Sequence, residues 1–343
     1  YGNANYTVYF YCQFEKPFEK YGVWSVDVPA GLDRKNRLNE DPEWQKQVAA
    51  AKVMPMCSEA EGKHLGFYTE FATQAGEQVL MKCGISFVSI DGARNNLEQE
   101  LPHWNFEKVR KEARKSWNKA LSCIEVKGKS ERDKRIFYTG LYHTMIDPRC
   151  YSDVDGNYVG ADGQIHQAKD FVYRTIFSGW DVFRSQFPLQ NLINPQLVTD
   201  EINSLIQIGD LSGRHYFPRW EFLNAYSGCM VGNPAIAVIT DAYVKGIRGF
   251  DARKAAEYCE NSMKKFGKGF VSGNLSETLE YAYFDWCTGK LWESLGDQDK
   301  AQAYYRKGQA YRNVWNPEVR WFQARQSKDR WLNWQGKTVG GQG

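Results

Sequence analysis

The chain has 343 residues, 42% of them apolar, and a formal net charge of +3 at pH 7. That is enough for one large domain or two ordinary ones around a real core. Near-balanced charge with no long run of one sign argues against nucleic acid as a partner, and no stretch of about 18 apolar residues is present to cross a membrane as a helix.

Residues 1–100 read as β. YTVYFYCQF (6–14), HLGFYTEFA (64–72) and EQVLMKCGISFVSI (77–90) alternate, are β-branched or aromatic, and lie between Gly, Asn, Asp and Pro clusters. The polar piece DRKNRLNEDPEWQKQ (33–47) reads as a loop, and few strands are visible for a complete sandwich. Residues 105–122 read as an exposed linking helix. From about residue 131 the period becomes helical. Helices are expected over 132–146, 179–191, 195–208, 234–247, after Asp251, over 276–295 and over 298–314. Asn194 with Pro195 and Asn233 with Pro234 serve as start signals, Ser276 as a third cap, and Gly209 and Gly296 as stops.

The connections between helices alternate long and short. Short ones join antiparallel neighbours, so the long ones collect at one end of a helical-hairpin array. Long loops in a compact domain are usually functional. That end also carries helix N-termini, with partial positive charge and free N–H donors. No fixed repeat period is visible, which favours a closed α/α toroid over a regular solenoid.

The residues that could carry chemistry cluster there. In FSGWDVFRSQFPL (177–189), Trp180 and Asp181 open a helix, with Arg184 one turn on and able to pair with Asp181. As a site, Asp181 would accept from sugar hydroxyls while Trp180 packs on the ring; as structure, they are a first-turn acid and a core anchor. Arg219 and Trp220 in HYFPRWEF (215–222) are candidates for the same cavity. Cys229 and Met230 read as pocket lining, because a nucleophilic Cys needs a base and no partner His is identifiable. Asp153, Asp155 and Asp162 in YSDVDGNYVGADG lack the register and final Glu of a calcium loop, so a glycine-rich hairpin covering the cavity is the better reading. Glu277, Glu280 and Asp285 could face the cavity but read as solvated or core-paired acids. The five His (His64, His103, His143, His166 and His215) show no metal spacing. The eight cysteines (Cys12, Cys57, Cys83, Cys123, Cys150, Cys229, Cys259 and Cys287) form no CxxC or zinc spacing. They read as small buried residues, and no disulfide pairing follows from the sequence. With 12 Trp, 20 Tyr and 19 Phe the chain is rich in rings, and any Trp in loops would offer flat faces to sugars. Glycoside hydrolysis needs two carboxyl groups across the bond, and the residues alone name no such pair.

FYTGLYHTMIDPR, YSDVDGNYVGADG, FSGWDVFRSQFPL, FPRW, CMVGNPA, DAYVKGIRGFD and TLEYAYFDW occur in this order. With GEQVLMKCGISFVSIDGARNNLEQELPHWNFEKVR before them, they resemble glycoside hydrolase family 92, the calcium-dependent exo-α-mannosidases, mostly bacterial. The resemblance covers nearly the whole chain. It implies a mixed architecture, β then α: a partial β-sandwich (1–104), a linker helix region (105–130) and about half of an (α/α)6 barrel (131–343). The implied reaction is inverting, calcium-assisted hydrolysis of a terminal α-mannosyl unit of a glycan. Trp180 and Asp181 would line the subsite for that mannose, with Arg184, Arg219 and Trp220 in the same cavity.

By the same resemblance the general-acid Glu belongs just past Gly343, with the general-base Asp and the principal calcium ligands further on. No catalytic residue is therefore identified in this chain. The first sandwich strands and their glycine-rich sugar-contact loop are also missing, and the chain begins with Tyr rather than Met. It reads as the middle of a longer protein, completed by its own remainder or a companion chain. The place of action is expected to be outside the cytoplasm: periplasmic, surface-anchored or secreted. Asn233 and Pro234 depart from the His-containing form common at that place, leaving the linkage preference open. Two alternatives stand beside this reading: a non-catalytic carbohydrate-binding protein of the same fold, and a helical scaffold for protein partners.

Overall fold

A computed structural model describes residues 4–27 and 42–333. The N-terminal elements are β1 (Tyr9–Phe14), β2 (Lys20–Ser25), α1 (Pro42–Ala49), β3 (Lys52–Pro55), β4 (Leu65–Glu70) and β5 (Met81–Ser86). β1 pairs antiparallel with β5, and β2 lies between β3 and β4 in a second antiparallel sheet. Rings join the two small sheets: Phe10 stacks on Phe67 at 6.4 Å and Phe14 meets Phe71 at 5.3 Å.

Here the structure corrects the sequence reading twice. The segment expected as a loop, 33–47, ends inside α1, while 28–41 lie outside the described residues. α1 has Pro42 first, Glu43 in its first turn and no buried residue, so no apolar stripe announces it. The strand expected to run to residue 90 stops at Ser86. Ser89 Oγ accepts from the Gly92 N–H and starts α2 (Ile90–Glu100), a helix that the sequence reading did not contain. α2 packs on β5 so closely that a Cβ at Gly84 would lie 2.2 Å from the Ala93 carbonyl oxygen.

α3 (Phe106–Leu121) is capped by Asn105 and has no buried residue, as a linking helix should. After α4 (Glu131–His143) come nested hairpins: β6 (Arg149–Cys150) pairs with β9 (Arg174–Thr175), and β7 (Asn157–Val159) with β8 (Ile165–Gln167). The second of these is the expected glycine-rich hairpin, with Gly156 and Gly163 at positive φ.

The helical array follows as α5 (Gly179–Val182), α6 (Gln186–Ile193), α7 (Pro195–Leu211), the hairpin β10 (Glu221–Phe222) and β11 (Ala225–Tyr226), then α8 (Ala235–Val244), α9 (Ala252–Phe266), α10 (Leu275–Ser294) and α11 (Gln298–Gly308). A 3-10 turn (Gln309–Asn313) continues α11, where one helix to 314 was expected. β12 (Trp315–Asn316) with β13 (Trp321–Phe322), and β14 (Arg325–Ser327) with β15 (Arg330–Trp331), complete the described chain. α6/α7, α8/α9 and α10/α11 are helical hairpins. α6, α8 and α10 lie side by side as an inner arc, with α7, α9 and α11 outside. Phe177, Phe187, Phe217, Phe284 and Trp292 fill the core between the layers. Small sheets followed by half of an α/α barrel is the architecture that the sequence implied.

Three local expectations are corrected. The helix expected over 179–191 is two helices. Pro188 has no N–H to give the Arg184 carbonyl and its ring crowds it, so the backbone restarts at Gln186, where Pro188 falls in the first turn. Asn194 caps α7 by accepting from the Leu197 N–H, but Asn233 does not repeat the device; its amide donates to the Phe217 carbonyl at 3.2 Å. The cap of α10 is Asn274, accepting from the Glu277 N–H at 2.9 Å, not Ser276.

Candidate active site

Trp180 and Asp181 occupy the single turn α5, at the end of the long connection through β9. Gly179, before them, is held for space rather than for φ. A Cβ there would lie 2.5 Å from Pro234 Cγ, 2.6 Å from Phe177 Cε1 and 2.8 Å from the Arg219 carbonyl oxygen. Three segments distant in sequence therefore converge on this backbone: α5, the 215–222 loop and the start of α8.

Side-chain bonds complete the convergence. The Trp220 indole N–H donates to Ser178 Oγ at 2.6 Å, and Ser178 Oγ donates to Asp181 Oδ2 at 2.6 Å. Asp181 is exposed, and its other carboxylate oxygen takes no protein donor among the described residues. Arg219 serves as a clasp. Its guanidinium donates to the carbonyls of Gly228, Met230 and Gly232 and to the Tyr281 hydroxyl, fixing the loop before α8.

Arg184 does not pair with Asp181. It donates to the Trp180 carbonyl and forms a 2.8 Å ion pair with Glu280 on α10. The reason is reach: the α6 start turns Arg184 toward the inner arc, where Glu280 is nearly buried and needs a partner. The guanidinium also lies 4.7 Å over the Trp180 ring, covering one of its faces. Beside this pair lies a cavity of about 630 Å³, lined by Phe183, Arg184, Asp241, Glu280 and Tyr283 among others; Trp180, Asp181, Arg219 and Trp220 do not line it.

The residue that organises this end is Glu221, which sequence reasoning missed. It is buried on β10 and accepts from the Thr175 hydroxyl (2.8 Å) and from the backbone N–H groups of Ile176 (2.8 Å), Phe177 (3.3 Å) and Asn224 (2.7 Å). It thereby pins both strands of the approach, the one entering α5 and the one that carries Trp220. Ile176 is held at φ 71°, a left-handed conformation costly for a β-branched residue. Burial raises the Glu221 pKa against the lowering effect of these donors. Behind it on α7, fully buried Glu201 is pushed up to about 8 by burial, with Glu221 and Asp200 adding and Arg174 opposing. The only sequence signal for Glu221 was its place next to Trp220; nothing in the spacing linked it to residues 175–177.

The remaining acids lie elsewhere or have partners of their own. Glu277 pairs with Lys268 at 3.2 Å. Asp285 is buried outside the site and raised to about 7 by burial, against the pull of Lys307. Asp153 ties the hairpin to the N-terminal sheet, accepting from Ser86 Oγ (2.7 Å) and the Asn96 amide (2.8 Å). Asp155 and Asp162 bond within their own turns, Asp162 also to His166 at 3.0 Å. Among the described residues no three His, Cys, Asp or Glu side chains gather as a metal site needs. The described residues therefore gather no carboxylate cluster for a calcium ion.

Residues 92–341 match the glycosyl hydrolase family 92 catalytic domain, and residues 1–86 match that family's N-terminal domain. The chain belongs to glycosyl hydrolase family 92. The family 92 α-mannosidase BT3965 of Bacteroides thetaiotaomicron superposes with a TM-score of 0.79 at 28% identity, over 98% of this chain and 44% of that one. The family 92 inverting mannosidase BT2199 of Bacteroides thetaiotaomicron VPI-5482 gives 0.81 at 27% identity, over 98% and 45%. A protein of Arthroderma benhamiae described as an uncharacterized secreted glycosidase is 25% identical over 296 residues, 84% of this chain and 36% of the relative. The chain thus spans less than half the length of the relatives it matches. Among the described residues no helix is long and apolar enough to cross a membrane.

Proposed function

We propose that this chain forms part of an exo-acting α-mannosidase, which removes terminal α-mannosyl residues from glycans with inversion and the help of calcium. In this reading residues 1–104 are sandwich, 105–130 linker and 131–343 the first part of the catalytic barrel. The supporting observation is the Trp220–Ser178–Asp181 chain at the long-loop end of the helical hairpins. It leaves one carboxylate oxygen of Asp181 with no protein donor among the described residues. Asp181 would accept from a mannose hydroxyl, while Trp180 packs against the C–H face of the ring on the side away from Arg184. Trp220 orients Asp181 through Ser178. Arg184 borders the cavity and bridges to Glu280 on α10, while Arg219 clasps the 228–232 loop beside Trp220.

The acid and base belong to the rest of the protein in this reading. One carboxyl protonates the leaving oxygen and the other, about 6.5–9.5 Å away, activates water on the opposite face. In the same reading the calcium ligands belong to that part of the protein too. Action outside the cytoplasm accords with the secreted relative.

The experiment is Asp181→Ala in the full-length protein with an aryl α-mannoside. Loss of a charge-assisted hydrogen bond costs about 1.5–3 kcal/mol, a fall of roughly 10- to 150-fold in kcat/KM. A folded variant with unchanged kinetics removes Asp181 from the site. Binding of mannosides by a full-length protein that never turns them over would favour the non-catalytic carbohydrate-binding reading.

A further inference from the structure

We propose that Cys12 and Cys83 form a cross-strand disulfide that staples the first strand of the N-terminal sheet to β5, a site independent of the mannosidase reading. In the β1–β5 register Cys12 stands directly opposite Cys83. The kind of pair follows from one backbone bond. The Glu15 N–H donates to the Leu80 carbonyl at 3.0 Å, extending the register by one residue as a hydrogen-bonded pair. Along an antiparallel ladder hydrogen-bonded and non-hydrogen-bonded pairs alternate. Cys12 lies an odd number of residues from Glu15 and so falls in a non-hydrogen-bonded pair. There the Cα atoms come within about 4.5 Å and side chains approach most closely. That separation is inside the range of about 4.4–6.8 Å that a disulfide spans. Burial, and after it the neighbouring Cys83 thiol, push the Cys12 pKa up to about 12, and the Cys83 thiol donates to the Gly84 carbonyl at 3.5 Å.

Four of the other six cysteines are placed differently. Cys57 and Cys150 donate to the carbonyls of Glu59 and Ser152, and Cys259 and Cys287 are buried in the helical core. Among the paired strands described, only β1 and β5 set one cysteine against another.

The chemistry is thiol–disulfide exchange. One thiolate attacks a low-molecular-weight disulfide such as oxidised glutathione, forming a mixed disulfide and releasing one reduced thiol. The second cysteine then displaces the remaining thiol. Two protons leave the cysteines and two electrons reduce the glutathione disulfide to two thiols. Such bonds persist in oxidising compartments. The staple closes a loop of about 70 residues, in the range where cross-linking restricts the unfolded chain strongly. Its neighbours Phe10 and Phe14 share its face and meet Phe67 and Phe71 of the second sheet. It also fixes the strand that leads into α2, whose Asn96 holds Asp153 and the β7–β8 hairpin.

The test is a disulfide map of the full-length protein after equilibration in a glutathione redox buffer. Trypsin cuts after Lys82 and Arg94, which puts Cys83 in a different peptide from Cys12. The unreduced digest should contain the two peptides linked, lighter by two hydrogens than their sum, and reduction should release both for alkylation. Both cysteines alkylated without reduction would overturn the proposal. As a second readout, reduction should lower the melting temperature of the wild type by ~5 °C and leave the Cys12→Ser/Cys83→Ser variant unmoved. An equal shift in both proteins would place any stabilising disulfide elsewhere and also overturn it. Should the double variant fail to fold, the wild-type map still decides.

Discussion

Glu221→Gln in the full-length protein isolates the contribution of the buried carboxylate. The substitution keeps size and shape but replaces one acceptor oxygen by an NH2 group. Three backbone N–H groups and one hydroxyl point at Glu221, so the amide must turn a donor toward one set of them. If it faces Ile176 and Phe177, the Ile176 N–H loses its acceptor while the Phe177 N–H keeps the Glu221 backbone carbonyl at 3.2 Å; if it faces Thr175 and Asn224, the Asn224 N–H loses its acceptor and the Thr175 hydroxyl must turn to accept. A hydrogen bond to a charged group is worth about 1.5–3 kcal/mol, and partial relaxation leaves an expected destabilisation of about 3 kcal/mol. The larger effect is expected on activity. Residues 175–177 feed directly into Trp180 and Asp181, and a misplacement of about 1 Å at such a site can cost ~100-fold in rate. The assay is kcat/KM on an aryl α-mannoside, at a temperature where denaturant titration shows the variant fully folded. An expected loss near 100-fold would come chiefly through kcat. A folded Glu221→Gln enzyme within twofold of wild type would refute the claim that this carboxylate positions the site.

Gly179→Ala should lower activity and stability together, by about 1–3 kcal/mol in stability. Its Cβ would meet Pro234 and the Arg219 carbonyl at 2.5 and 2.8 Å, and thermal melts alongside kinetics would show it. Glu201 is pushed up to about 8 by burial, so the folded protein holds a proton that the unfolded chain, with a carboxylate near 4.3, releases. Its contribution is complete below about pH 4 and is lost as pH rises through about 8. Glu201→Gln should therefore match wild type at pH 4 and exceed it at pH 9 by roughly 3–5 kcal/mol, read from urea titrations at the two pH values. Arg184→Ala leaves Glu280 nearly buried and unpaired, which should cost about 2 kcal/mol and weaken mannoside binding. Glu280→Gln beside it should restore part of the stability, and no difference between single and double variants would separate the two residues.

Some of this was legible in the residues because it is governed by local periodicity. The switch from alternating to helical patterning, the exposed linking helix, the Asn194–Pro195 start and the alternation of long and short connections need only neighbouring residues. Three helical hairpins, each with a short internal connection, are the result. What misled is also local. A solvent-exposed helix such as α1 has no apolar stripe to show, and α2 hides behind a strand whose alternation runs on past Ser86. Pro188 is compatible with one long helix or with two, and only the restart at Gln186 decides it.

The sequence by itself determined the switch from strands to helices, the order of the hairpins and the placing of Trp180 and Asp181 at a helix start and of Arg219 and Trp220 on a long connection. The tertiary structure decided which of these touch. Ser178 joins Trp220 to Asp181, Arg184 turns to Glu280, and Glu221 holds the strand before α5 across 44 to 46 positions of chain. The physical reason is that a hydrogen bond depends on distance and direction between atoms brought together by packing. Periodicity reports which face of an element is apolar, and carries no information about which distant backbone donors a buried carboxylate will meet.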